Sequence, residues 1–130
     1  MQFKHDTLRS QFYNLNATDP RLRAVAAELD FFFQQKFGRE LLVTSVWRTE
    51  EEQKELYPQF FAWAGRVRPS AHLDTPCRAI DLRSRDLRPE EIEALWNYFE
   101  TWWDELPGWA ILANDRGEGF PHIHIQVGKK

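Results

Sequence analysis

The sequence predicts an α+β domain, a small antiparallel sheet with helices packed on one face. Three observations carry that expectation. The closing segment 122–127 alternates without a break, His122, His124 and Gln126 against Ile123, Ile125 and Val127, which is the period of a strand with one polar and one apolar face. Two longer stretches, 19–36 and 89–105, repeat apolar residues at three-and-four spacing, the pattern of helices that bury one stripe. Six Trp, ten Phe and three Tyr in 130 residues give the chain enough large apolar surface to offset the entropy of folding.

Taken in order, residues 1–18 show weak periodicity, with Phe3, Leu8, Phe12 and Leu15 as scattered anchors of an N-terminal arm that docks on the body. Asp19-Pro20 opens a helix, because the Asp carboxylate accepts an orphan N–H and Pro at the first helical position sacrifices no bond. Leu22, Val25, Ala26, Leu29, Phe32 and Phe33 form its buried stripe, and Gly38 suits a left-handed cap. A short apolar run at 41–47 reads as a strand, followed by a capping box, Thr49 with Glu52, that starts a helix ending near Pro58. Residues 66–76 read as an irregular loop. The stretch 78–83 alternates again and sets Asp81 on the face opposite Ile80 and Leu82. Pro89 opens a third helix with Ile92, Leu95, Trp96, Phe99, Trp102 and Trp103 as its core stripe, and 109–113 reads as a strand joined by a glycine-flanked turn to 122–127. No repeat or linker divides the chain, so one domain over 1–130 is expected, with 19–127 as its core.

Charge and composition exclude several classes of function. With 20 acidic against 17 basic side chains and a formal net charge of −3, the chain lacks the basic face that nucleic acid demands. A single cysteine, Cys77, excludes an internal disulfide and hence a stapled secreted scaffold. The N-terminus carries charge from Lys4 onward and no apolar run approaches membrane-spanning length, so neither a signal peptide nor a membrane span is expected.

Three of the four histidines and one aspartate fall in two short segments, His72 with Asp81 and His122 with His124. Neutral imidazole and carboxylate are zinc ligands, and a catalytic zinc site takes three of them and leaves a position open. Cys77 lies between two of these candidates, but a lone cysteine is more often a small buried hydrophobe than a fourth ligand.

The same residues carry a resemblance. Thr44-Ser45-Val46-Trp47-Arg48-Thr49 followed by a Glu/Gln-rich helix is similar to the strand-to-helix segment of the zinc D-Ala-D-Ala carboxypeptidases and phage L-alanyl-D-glutamate endopeptidases. Ser70-Ala71-His72 followed by Arg78-Ala79-Ile80-Asp81 resembles the segment whose His and Asp hold zinc in that family, and Pro121-His122-Ile123-His124 resembles its closing strand. The likeness spans about 41–127, with His72 and Asp81 nine positions apart (81 − 72), two more than the family's usual pattern.

What the resemblance implies is a hedgehog/DD-peptidase-like fold holding one zinc per chain through His72, Asp81 and His124. Arg48 falls on a substrate-binding arginine. Were His122 the ligand instead, His124 would be released; the His-x-His form favours His124, leaving His122 to line the pocket as a proton shuttle or oxyanion partner. The family's catalytic acid commonly sits three positions before the last ligand. Here that is Pro121 or Gly119, so Glu118 in the preceding turn is the candidate acid. The implied activity is hydrolysis of peptidoglycan stem peptides, as a D,D-carboxypeptidase or an L-alanyl-D-glutamate endopeptidase, working as a monomer. A phage or prophage lysis enzyme without a leader fits, and so does a recycler of muropeptides. The competing reading is a non-catalytic, metal-holding cell-wall or partner-binding module of the same fold.

Overall fold

A computed structural model describes residues 1–103, 110–115 and 122–128 of the chain. In chain order the elements are β1 (Gln2–Phe3), α1 (Asp6–Tyr13), α2 (Pro20–Phe37), β2 (Leu42–Ser45), α3 (Glu50–Leu56), α4 (Pro58–Ala64), a 3-10 turn at Ala71–Leu73, β3 (Ala79–Arg83), α5 (Pro89–Trp103), β4 (Ala110–Asp115) and β5 (His122–Val127). The strands form one sheet in the order β1-β2-β3-β5-β4. The class is α+β, and all four expected strands are present.

The sheet is mixed rather than antiparallel throughout. β1 runs parallel to β2, pairing Phe3 with Val43, whereas the other three pairings are antiparallel. The N-terminal segment therefore contributes an edge strand, and then a helix, α1, that packs against β1 and β2. Phe12 is its buried anchor, with its ring centroid 5.5 Å from that of Phe3, while Leu15 is exposed rather than docked.

The local signals act where they stand in the sequence. The Asp19 carboxylate accepts the Arg21 N–H at 2.9 Å at the start of α2, and Gly38 closes that helix at φ 71°, a left-handed conformation that costs a residue without Cβ little. Thr49 and Glu52 form the reciprocal capping box of α3. A further helix, α4, follows where the sequence predicts no element, with Pro58 at its first turn and Gly65 as its left-handed cap.

The apolar face of the sheet carries Val43, Ile80, Leu82, Ile123, Ile125 and Val127, and α2 and α5 cover it with Leu22, Val25, Leu29, Phe33, Leu95 and Phe99. Each such side chain contributes roughly 1.5–3 kcal/mol on full burial. The α5 stripe is rotated from the expected one: Glu91, Leu95 and Phe99 are buried, but Trp96 is 40% exposed and its indole N–H donates to Glu100 on the same helix. Glu91 is accommodated in the core by Arg39 and by the Arg88 N–H. The side chains of Trp102 and Trp103 lie outside the described residues. Nor do all helices share one face, because Gln53 and Tyr57, in and just after α3, border the polar side of the sheet. Among the described residues no helix is long and apolar enough to cross a membrane.

Candidate metal centre

The polar face of the sheet is where the candidate ligands meet. Asp81 on β3 stands directly opposite His124 on β5, and Ser45 of β2 pairs with Asp81 on its other side. Because neighbours along a strand alternate, Ile80 and Leu82 enter the core while Asp81 between them points the other way, and Ile123 and Ile125 do the same for His124. His72 arrives from the 3-10 turn, which Ser70 caps by accepting the His72 N–H at 3.2 Å. The His72 carbonyl accepts the Arg48 N–H at 3.0 Å, which ties this turn to the end of β2.

His72, Asp81 and His124 each direct one ligand-type atom to a common point, all within 4.8 Å of one another. Asp81 Oδ1 lies 3.2 Å from His72 Nε2 and 3.0 Å from His124 Nδ1. His122 Nε2 stands 3.6 Å from the same oxygen. These residues line a cavity of about 360 Å³ together with Arg48, Gln53, Tyr57 and Gln126.

The protonation of the rings follows from their outer partners. His72 Nδ1 meets the Val46 carbonyl, which can only accept, so the ring carries its hydrogen there and, when neutral, presents Nε2 as a bare lone pair. His124 Nε2 faces Gln126 Oε1 at 3.1 Å, so in the neutral ring Nδ1 is the bare nitrogen. With both rings neutral, two lone pairs converge on a carboxylate oxygen, an arrangement that a cation would stabilise. That donor set is one zinc accepts. Tetrahedral ligands at about 2.0–2.1 Å from zinc are separated by roughly 3.3–3.5 Å, close to the two distances about Asp81 Oδ1. Orientation of each imidazole by an acceptor at its far nitrogen is the usual outer support of a metal site.

The electrostatics agree with that reading. Burial holds His72 below its ordinary pKa, against the pull of Asp81, and keeps the ring neutral. Burial also opposes ionisation of Asp81, but the hydrogen bond with His124 outweighs it and holds the carboxyl below the usual range. At the more accessible His124, burial is outweighed by the hydrogen bond to Asp81, so its pKa rises.

Arg48 holds the carboxylate from behind. Its Nη2 donates to Asp81 Oδ2 at 2.7 Å, its Nη1 to Gln53 Oε1 at 3.1 Å and its Nε to Ser45 Oγ at 3.2 Å. Three of the five guanidinium hydrogens are engaged by these partners among the described residues. Asp81 pairs with Arg48 and not with its strand neighbours, since Arg78 binds Asp74 and Arg83 binds Asp86.

Gln53 is the residue that sequence reasoning missed. It is 1% exposed, accepts from Arg48, and donates to the Arg68 carbonyl at 2.9 Å, joining α3 to the loop before His72. Its only signal in the sequence is a polar position four residues into a capped helix. Cys77 belongs to the core, where its thiol donates to the Ala79 carbonyl at 3.2 Å. Glu118, the candidate acid, lies outside the described residues. Among the described residues lining the cavity, Asp81 is the one carboxylate. Comparison of the chain with protein-family models, with curated proteins and with solved structures found no match.

Proposed function

We propose that this chain is a zinc-dependent peptidase that hydrolyses peptide bonds in peptidoglycan stem peptides, on a hedgehog/DD-peptidase-like variant of the α+β fold. The observation that carries the proposal is the convergence of His72 Nε2, Asp81 Oδ1 and His124 Nδ1 at one end of an open cavity, with both rings oriented by outer acceptors. The order of the three sequence segments that supply Arg48, His72 with Asp81, and His124 supports the choice of peptidase over other metal chemistry. His72, Asp81 and His124 would hold the ion, three protein ligands being the number that leaves a position open. When bound, zinc supplies Lewis-acid polarisation of a carbonyl and activation of water near neutral pH.

The remaining steps belong to the chain's own side chains. Arg48 fixes Asp81 and offers its remaining hydrogens to a substrate carboxylate, a planar donor suited to that group. His122, on the cavity wall, is placed to hold or pass a proton to the departing amine. Glu118 takes the role of general base. A second reading is favoured by one feature: the described part of the cavity offers no carboxylate beyond the ligand Asp81, as expected of a module that binds metal without catalysis.

Zinc content and hydrolysis, measured on the same samples, separate the two. The peptidase reading expects about one zinc per chain, lost in His72→Ala, with zinc-dependent release of new amines from purified peptidoglycan that Glu118→Gln abolishes while retaining the metal. Bound zinc without hydrolysis in the wild type would leave the binding module, and absence of zinc at stoichiometric level would overturn both.

A further inference from the structure

A second, larger cavity of about 580 Å³ adjoins the metal pocket and shares Arg48, Tyr57, Asp81 and His122 with it. Its far wall has a different chemistry. Lys4, Arg83 and Arg85 line it beside the apolar surfaces of Leu8, Trp47 and Leu56. The sheet explains this placement: Phe3 pairs with Val43 on the core side, so Lys4, next in the chain, falls on the polar face, and Arg83 follows Asp81 on that face, opposite His122.

Four cationic side chains, Lys4, Arg48, Arg83 and Arg85, meet two acidic ones there, Asp81 and Glu52. Asp81 is taken by Arg48, and Glu52 by the Thr49 capping box. Arg83 and Arg85 share the exposed Asp86 at 3.5 and 3.9 Å, contacts of little strength at such exposure. Lys4 makes no ion pair among the described residues. In a chain of formal charge −3, this is a local cationic excess beside the reacting centre.

We infer that the groove is a binding site for a carboxylate-bearing stretch of peptide, held by Lys4 and Arg85, which places the scissile bond at the metal pocket across His122. The inference rests on the peptidase reading for the identity of the peptide and extends it to specificity: stem peptides with free carboxylates are preferred over amidated ones. Arg48, largely engaged with Asp81, Gln53 and Ser45, is not the main source of that selectivity.

The test is calorimetric titration of the zinc-loaded protein with synthetic L-alanyl-γ-D-glutamyl-L-lysyl-D-alanine and with its counterpart in which both carboxylates are amidated. Wild type should bind the free acid roughly tenfold more tightly, as two partly exposed ion pairs worth about threefold each would give. That preference should shrink as salt is raised. Lys4→Gln with Arg85→Gln should remove most of it, leaving only the part that Arg48 supplies, with affinity for the amidated peptide and zinc content unchanged. Equal or undetectable binding of the two peptides by wild type, or a preference undiminished in the double variant, overturns the inference. Hydrolysis in the same samples is read separately: turnover without a preference removes the groove and keeps the peptidase, whereas a preference diminished in the double variant without turnover keeps the groove and removes the peptidase.

Discussion

Replacing Asp81 by Asn tests the centre most directly, because it preserves the shape of the side chain and removes its charge. Asp81 is 4% exposed and its partner Arg48 has a side chain 12% exposed, so the substitution leaves a guanidinium facing a neutral amide inside the protein. Breaking a buried pair by removing one member costs about 3–5 kcal/mol. Arg48 keeps Ser45 and Gln53, which favours the lower end, about 3 kcal/mol; at about 3–4 °C per kcal/mol for a domain of this size, the melting temperature falls by about 10 °C. Zinc supplies the second reading. At a free concentration about one hundred times its Kd, a ligand of the native state stabilises by about 2.7 kcal/mol, so wild type should gain about 8–10 °C and Asp81→Asn little or nothing. Thermal unfolding followed by circular dichroism, with and without zinc, measures both effects. Adding Arg48→Gln to the variant should recover part of the loss, since the orphaned charge goes with it. An Asp81→Asn protein with wild-type stability and a wild-type zinc response would refute the ion pair and the ligand together.

Two further predictions concern the frame that carries the site. Asp19 is held below the usual carboxylate range by its hydrogen bond to the Arg21 guanidinium, against partial burial, so its ion pair stabilises the fold above the unfolded pKa of about 3.9 and is lost as pH falls below it. Asp19→Asn keeps the cap and removes the charge: urea unfolding should show a deficit on the order of 1 kcal/mol at pH 7 that closes as pH falls through the lowered folded-state pKa, and a gap that persists in strong acid would contradict the assignment. Burial pushes the Cys77 thiol up to about 11, so a disulfide reagent at pH 8 should label it only as fast as the protein unfolds. Rapid stoichiometric labelling of the native protein would place the thiol outside the core.

The sequence makes the candidate ligands legible because each lies where pattern and chemistry coincide. Asp81 and His124 occupy the polar phase of strands whose other phase is β-branched or aliphatic, and that alternation leaves them one direction to point. Cross-strand register is a different matter. That Asp81 stands opposite His124 and not beside His122 depends on how β3 and β5 slide against each other, which the packing of both apolar faces decides. Gln53 is illegible for a related reason: Glu50, Glu51, Glu52 and Gln53 look alike as a polar run, and only the arrival of Arg48 and the Arg68 carbonyl from outside the helix distinguishes the last of them. β1 leaves no period in two residues, and its parallel pairing is made by long-range contacts alone. Trp96 misleads because an apolar residue one position off a helical stripe satisfies the same spacing, whereas the buried position goes to Glu91, whose charge Arg39 and Arg88 meet.

The division of the strands between two faces has a consequence for how the centre acts. In small zinc modules the ligands converge only when metal binds, and the binding energy is the folding energy. Here Asp81 and His124 are brought opposite each other by a sheet whose other face is sealed by α2 and α5, and His72 is fixed by the Val46 carbonyl and the Ser70 cap. The hydrophobic core holds the candidate ligands in place, so the desolvation of Asp81 and the neutral state of His72 are met in advance by folding. On the proposed reading a cation binds here without reorganising the chain, the pre-organisation that electrostatic catalysis requires. On the peptidase reading, the same arrangement leaves the outer side of the pocket, with His122 and the shared cationic groove, to be shaped by substrate rather than by the demands of stability.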